Sequence, residues 1–467
     1  MLERKGYMKS FNNQAIGLLL LLSGCASMNS KVSSSASQEW QPVSYPKNAV
    51  IMQTPTFDVN GQYNLADLLD LGLSKNPQTR SAWWHAKQVL AQKGRANSQF
   101  FPTISAHLDA KRNQTGAVLG AASSKIDNWG PSLQVSYRLF QFGASVADAK
   151  RAACMLAAAN YDFNNTLQTV VFTIQQCYYK YVSAIATIEA CESNLKDAEA
   201  SFEAVQNKQE SGLARIQDAL LAKADKLQAD YELQSARSAL EAARAELALA
   251  VGVPVSKQFE IITQSGEVER TVLTEQVEDL LQEALQKRSD ILSAEANLHA
   301  QDWAHLKTQR EVLPAVDVVG SVGALRYHKD SHWQRNYGLG IGLSWDLFNG
   351  GNSQYKTLES YAALKNQTYL FHQQQLQVLR DVWSTFHAFQ SSVQLLDSAK
   401  ALESAAKESF IAIRTGYDAG LNSLLDLLSA QKTLSQARVK RISSQSNLAI
   451  HWVQLAYVTG RLQTKDF

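Results

Sequence analysis

No proline falls between residues 132 and 253, nor from 315 to the end of the chain. Proline breaks a helix interior because it removes a hydrogen bond and clashes with the preceding turn. These two windows therefore permit helices longer than a compact domain can hold. The first window carries a matching apolar pattern. Phe163, Val170, Cys177, Ala184, Cys191, Ala198 and Val205 recur at every seventh position, and Leu167, Ile174, Tyr181, Ile188, Leu195 and Phe202 form a second register. This is an a/d seam, the signature of helices packed lengthwise. At 1.5 Å per residue, a helix over 144–210 would be about 100 Å long. The second window repeats the seam less strictly through Leu379, Val382, Phe386, Phe389, Val393 and Leu396.

The chain repeats itself once. Leu139-Phe140 with Gly143 recurs as Leu347-Phe348 with Gly351, 208 positions later, and Gly252 recurs as Gly460 at the same offset. Ser211-Gly212-Leu213 with Asp218 recurs, again at 208, as Ala419-Gly420-Leu421 with Asp426. Pro102 recurs as Pro314 at an offset of 212, which places a four-residue length difference in a hairpin loop between the two sets. A unit of about 200 residues is too long for a solenoid repeat and implies two similar halves. The predicted layout is a leader over 1–24, a tether over 25–64, repeat 1 over 65–254, a linker over 255–274, repeat 2 over 275–461 and a tail over 462–467. Each repeat is expected to hold a helix (65–98; 275–310), two strands (103–112 and 131–141; 315–326 and 336–348) and two long helices meeting at Gly212 or Gly420.

The strand segments alternate with period two, as a sheet with one apolar face requires. Ser132, Gln134, Ser136 and Arg138 oppose Leu133, Val135, Tyr137 and Leu139; Asn336, Gly338, Gly340, Gly342 and Ser344 oppose Tyr337, Leu339, Ile341, Leu343 and Trp345. The pattern fits either a half-buried sheet in a soluble domain or a membrane barrel with a wet lumen, the latter with Trp129, Tyr327 and Trp333 in an aromatic girdle. Four strands cannot close a barrel, since known single-chain barrels start at about eight, and an open edge is forbidden in lipid. A barrel reading therefore demands oligomerisation. A trimer would supply twelve strands.

The N-terminus reads as an export signal. Lys5 and Lys9 precede the short apolar run Ala15–Leu22, with Met1 or Met8 as the start. Leu22-Ser23-Gly24-Cys25 resembles the lipobox of bacterial lipoproteins, which implies cleavage before Cys25 and acylation of that residue, with delivery to the outer membrane because Ala26 follows. The formal net charge of the whole chain is +2, and residues 1–24 hold Arg4, Lys5 and Lys9 against Glu3, so the remainder is neutral. A neutral chain lacks the basic surplus that nucleic-acid binding needs. The remaining cysteines, Cys154, Cys177 and Cys191, are odd in number and lie within the helical pattern, so buried free thiols are expected.

These features together resemble the TolC-like outer-membrane factor family over about 62–461. The resemblance rests on the opening Leu65–Pro77, on the doubled phrase Leu-Phe-x-x-Gly, and on the doubled phrase Gly-Leu-x-x-x-x-Asp at Gly212-Leu213…Asp218 and Gly420-Leu421…Asp426. It implies a mainly α fold with membrane β: a homotrimeric twelve-strand outer-membrane β-barrel continued by a twelve-helix periplasmic α-barrel. It further implies an efflux duct, opened when a periplasmic adaptor protein and an inner-membrane pump dock at the periplasmic tip. On that footing Ser211, Gly212, Leu213, Ala419, Gly420 and Leu421 would line the docking surface. Asp426 would line the pore constriction, and Asp218, Tyr417 and Asn422 would belong to the gate, with Ser429 standing where a second acidic residue is found in the family. Read without the resemblance, the two glycines are helix C-caps and the two aspartates complement a helix dipole.

No phosphate loop, zinc-protease motif or nucleophile elbow occurs, so no enzyme, cofactor or metal is expected; His328, Asp330 and His332 read as a solvated loop. Two alternatives stay open: a duct serving type I protein secretion, and a lipoprotein tether with no pore. The leader makes a direct prediction: Cys25→Ser should leave the exported protein without an acyl chain, read as the loss of the lipid mass increment on the mature N-terminal peptide.

Overall fold

The computed structural model describes residues 62–116, 124–255, 260–261, 276–327 and 332–462. The leader, Cys25, nearly all of the tether, most of the linker, His328, Asp330 and residues 463–467 lie outside the described residues. In chain order the elements are β1 (Gln62–Tyr63), α1 (Leu65–Lys75), α2 (Pro77–Asn97), β2 (Thr103–Thr115), β3 (Ser124–Phe140), α3 (Ala144–Glu210), α4 (Ile216–Val251), β4 (Glu260–Ile261), α5 (Val277–Lys287), α6 (Ser289–Glu311), β5 (Ala315–Tyr327), β6 (Gln334–Ser344), α7 (Asn352–Asp418) and α8 (Leu424–Val458). The parallel pairing of β1 with β4 was not foreseen, and it draws one end of the tether and part of the linker into the fold.

Each helix expected at the head of a repeat is two helices. In the first repeat the break is Asn76, whose ψ of 129° leaves the helical region, as the residue before a proline must. Its side chain caps α2 and ties the corner to the last turn of α4: Oδ1 accepts from the Gln78 N–H at 2.7 Å, and Nδ2 donates to the Ala250 carbonyl at 2.7 Å. In the second repeat the break is Arg288, with ψ 125° and no proline beside it. There the guanidinium is held by Asp290 through bonds of 3.0 and 2.8 Å. The same corner is kept by different chemistry.

The strands form one antiparallel sheet in the order β2-β3-β5-β6. All four run further toward the hairpin turns than the alternation alone indicated, and β6, at 334–344, also stops short of the expected 348. Thr103 pairs with Ser136, and Ala315 with Ser344. The first members of these pairs are related by 212 positions and the second by 208, and the difference lies in the ladders rather than in the turns: β2 and β3 stay paired out to Thr115 and Ser124, two pairs further than β5 and β6, which are paired out to Leu325 and Gln334. Register places Ile104, Val135, Gly320 and Leu339 on one face, and Ala106, Leu133, Val322 and Tyr337 beside them. The opposite face carries Ser105, Gln134, Ser321 and Gly338. The apolar face is uncovered: Leu339 is 82% and Tyr337 89% exposed.

Each strand pair turns into a 67-residue helix through a corner with left-handed backbone. Phe142 and Gly143 have φ of 46° and 80°, and Gly350 and Gly351 have 67° and 83°. This is why the Leu-Phe-x-x-Gly phrase ends in glycine. The a/d seam on α3 buries Val170, Ile174, Cys177, Cys191, Ala198 and Val205, but also Val171, Tyr178 and Asn194, because the helix is packed on both flanks and needs a stripe wider than a two-stranded coil. On α7 the buried line runs through Val378 rather than Leu379, then Val382, Phe386, Phe389, Ser392 and Leu396. Cys177 and Cys191 are buried, Cys154 is only half-buried, and all three thiols are free.

Each 67-residue helix spans two shorter ones. Near the sheet the lateral order is α2-α3-α6-α7, and away from it α4-α3-α8-α7. α1 packs on α3 and α4, and α5 on α7. At the junction with the sheet, Asp148 is buried and accepts from Gln99 at 2.6 Å, Arg151 at 3.0 Å and Lys307 at 3.1 Å. Burial pushes its carboxyl upward, but those three donors outweigh it and hold it below its ordinary value.

The first short helix of each repeat meets the long helix at one small residue. A Cβ on Gly72 would lie 2.2 Å from Ile174 Cδ1. The equivalent positions in repeat 2 are Ala284 and Val382, in one buried cluster: one methyl has moved from the long helix to the short one. Gly72→Ala gains about 1 kcal/mol of helix propensity but overpacks the site by about 1–3 kcal/mol. Ile174→Val should lower the thermal midpoint in the parent chain and raise it in the Gly72→Ala background, with the sign reversal read from a double-mutant cycle.

Candidate functional site

The far ends of α3 and α7 turn back into α4 and α8 through two loops that share one hydrogen-bond pattern. Leu213 N–H donates to the Lys208 carbonyl at 2.7 Å and Gly212 N–H to Gln209 at 3.0 Å; Leu421 N–H donates to Gly416 at 2.7 Å and Gly420 N–H to Tyr417 at 3.1 Å. This is a Schellman closure, which needs a left-handed residue after the helix. Gly212 and Gly420 supply it with φ of 72° and 75°. In such closures the apolar residue after the glycine often folds back on the helix. Here it does not: Leu213 and Leu421 are 81% and 82% exposed. Ser211, Gly212, Ala419 and Gly420 are exposed beside them. The two turns thus present a pair of apolar side chains to solvent.

Behind the turns the four long helices share one core of Val205, Ala222, Phe410, Leu424, Leu427 and Leu434. Tyr417 packs against it, with the Lys208 ammonium 4.3 Å from its ring centroid. Burial, and then the charges of Asp218 and Asp418, push the Tyr417 phenol up. The structure thus brings Asp218, Tyr417 and Lys208 together within one chain. Lys208 was not singled out in the sequence; the signal available was its place as the partner of Gly416 at the 208 offset.

Asp426 is the third residue of α8 and closes a capping box with Ser423. Its carboxylate accepts from the Ser423 N–H at 3.1 Å and hydroxyl at 2.7 Å, while its own N–H donates to the Ser423 hydroxyl at 3.2 Å. These bonds hold its carboxyl below the usual value. Asp218 repeats half of this arrangement. It accepts from the Arg215 N–H at 3.4 Å, and the Arg215 side chain has no acceptor with which to reciprocate. Asp426 and Ser429 are both exposed on α8, whereas Leu424, Leu427 and Ala430 point inward. Asn422 is bound within its own turn: Nδ2 donates to the Ile413 carbonyl at 3.2 Å, and it occupies the space that a side chain on Gly416 would fill.

One polar cluster near the tip carries no sequence motif. Gln431, buried on α8, donates to Asp225 on α4 at 3.1 Å, and Ser201 on α3 donates to its carbonyl at 3.4 Å. Burial and then Glu232 push the Asp225 carboxyl up, against the pull of Lys432. Only the assembled packing of three helices reveals this group.

No helix among the described residues is long and apolar enough to cross a membrane. The chain matches the model of a family described as outer membrane efflux protein over residues 68–253 and 280–461, one match per repeat. It is similar to the protein CyaE of Bordetella pertussis, 22% identical over 85% of this chain and 84% of that one. It is similar to the outer membrane protein TolC of Escherichia coli, 21% identical over 86% and 83%. Among solved structures it shares the fold of the CmeC outer membrane channel of Campylobacter jejuni, with a TM-score of 0.75, 18% identity and coverage of 85% of both chains.

The Asp426 cap has a pH signature. A depressed carboxyl contributes its full stabilisation above the unfolded value, near pH 4, and loses it as pH falls through the lower folded value. Amide protection in the first turn of α8 should therefore drop on acidification below about pH 4 in the parent protein. In Asp426→Asn it should be lower at neutral pH and flat across that range, as measured by hydrogen exchange.

Proposed function

The chain belongs to the outer membrane efflux protein family, and from that membership we propose that three copies close side by side into one continuous duct, gated at the tip where the two helical turns meet. The protein is an outer-membrane efflux channel with a long helical extension into the periplasm. Membership of an efflux family speaks against a pore-free tether and does not favour a duct dedicated to type I protein secretion.

The observation that carries the ring is its edges. In each layer one flank of the protomer is β2, α2 or α4, and the other is β6 or α7. Among the described residues nothing pairs with the outer edges of β2 and β6. Both helical flanks expose apolar side chains, including Leu227, Tyr231 and Leu249 on α4 and Tyr369, Leu376 and Leu395 on α7. Two different flanks that need covering make a head-to-tail contact, which generates a closed ring if the rotation closes. Three copies give twelve strands, enough for a barrel with its apolar face to lipid and its serine- and glycine-rich face to the lumen.

In that ring each exposed tip aspartate occurs three times about one axis. Asp426 forms the constriction, since rings of carboxylates select cations in narrow pores. Its capping bonds fix the carboxylate on the first turn of a buried helix, so the ring does not move with a loop. Asp218, Tyr417 and Asn422 brace the turns within each chain, which makes them determinants of the closed state rather than lumen ligands. The exposed Leu213 and Leu421, with the small residues Ser211, Gly212, Ala419 and Gly420, offer a shallow apolar seat for a periplasmic adaptor. An inner-membrane pump supplies the energy, and opening is a shift toward whichever tip conformation the adaptor binds better. An acyl chain on Cys25 adds a second hold on the outer membrane, at about 0.8 kcal/mol per buried methylene.

Single-channel recording in a planar bilayer tests this reading. The parent protein should give discrete, small, cation-preferring steps, and Asp426→Asn should lose most of the cation preference while still forming channels. Unchanged selectivity would remove Asp426 from the constriction.

A further inference from the structure

On the lipid-side face of the sheet, each of the four strands ends its apolar run in a basic residue at the hairpin end. The strand register puts Arg112, Lys125, Arg326 and Arg335 on the face that carries Leu108, Leu133, Val322 and Leu339. Arg326 is level with a tryptophan pair, Arg112 and Lys125 lie beyond it, and Arg335, opposite Ala324, is one rung short of it: Trp129 faces Arg326 across the ladder, and its ring meets Trp333 edge-on with centroids 5.0 Å apart. One acid shares the level, Asp127, which takes both guanidinium bonds of Arg112 at 2.9 Å. Lys125, Arg326 and Arg335 are exposed and have no ion-pair partner among the described residues.

The other end of the same sheet is different. From 341 to 348 the only charged residue is Asp346, and Trp345, Leu347 and Phe348 are 54%, 77% and 87% exposed. The one arginine at that end of β3, Arg138, lies on the opposite face and is paired with Asp317 at 2.8 Å. Basic groups that served only to mark the edge of the apolar band would be useful at both ends. Their restriction to the end away from the helices points to an anionic group present on that side only.

We propose that Lys125, Arg326 and Arg335, seated by the Trp129–Trp333 pair and continued by Arg112, form a collar that binds the phosphate groups of outer-leaflet lipid. The indoles lie at the depth of the headgroup boundary, and the long basic side chains extend outward from it, as such side chains do at membrane interfaces. Juxtamembrane basic clusters attract anionic lipid additively, one residue at a time. Three protomers would repeat the collar around the barrel, which is the reading on which this inference rests.

The test uses the full-length, detergent-extracted protein, with lipid bound to the intact assembly counted by native mass spectrometry. The probes are bisphosphorylated lipid A and the same lipid stripped of phosphate, each with and without millimolar inorganic phosphate. The parent protein should retain the phosphorylated lipid at least tenfold more tightly than the stripped one, and inorganic phosphate should not displace it. The triple variant K125Q/R326Q/R335Q should lose that preference while keeping its assembled mass and its channel steps. Lys125→Arg should keep the preference, which separates charge from any local damage. Equal retention of both lipids by an assembled, conducting parent protein would overturn the collar and leave the duct intact. Complete displacement by inorganic phosphate would reduce the site to one for the free ion and overturn the lipid assignment. A parent protein that neither assembles nor conducts would overturn both readings.

Discussion

Among the described residues, a sheet with four strands, an uncovered apolar face and two unpaired edges is the constraint from which the rest of this architecture follows. In lipid every backbone polar group has to be satisfied within the protein, because hydrocarbon offers no partner, and an unpaired group costs about several kcal/mol. β2 and β6 leave a row of such groups on each side. One chain cannot satisfy them, and neither can a flat pairing that leaves new edges. A ring can. The helices then inherit the geometry, since each strand pair runs directly into a 67-residue helix. Whatever number of copies closes the sheet also closes the helical layers beneath it.

The duplication shows how one scaffold is kept while its parts diverge. Gly72 against Ile174 in the first repeat corresponds to Ala284 and Val382 in the second, so the packed volume is preserved although the residues are not. The corner after the first short helix uses Asn76 before a proline in one repeat and Arg288 with Asp290 in the other. The tips diverge in the same manner. Both keep the glycine closure, but Lys208 in the first corresponds to Gly416 in the second, and Asn422 fills the room that Gly416 leaves. Asp218 closes an incomplete cap and Asp426 a complete one.

Much of this was legible in the sequence because it rests on periodicity. The heptads of α3, the alternation of the strands and the 208-residue offset each map one residue to one direction, and the fold has the elements they implied. What was missed depends on contacts between distant segments. Arg288 is a helix break that no proline announces. Val378 replaces Leu379 in the α7 seam because this stretch also packs against α5, in one cluster with Leu280 and Ala284. The Ser201, Asp225 and Gln431 cluster spans three helices and has no linear signature. At the tip the candidate residues were named in advance through their resemblance to a family pattern, but their geometry was not. Asn422 bonds inside its own turn, and Asp426, proposed for the pore, caps its own helix.

The central claim is closure of the unpaired edges by identical neighbours, and the most direct measurement of it is the mass of the detergent-extracted assembly by native mass spectrometry. The account predicts one dominant species of three chains, with no stable single-chain form. A dominant monomer, or an assembly in which two copies meet through the same flank, would contradict it.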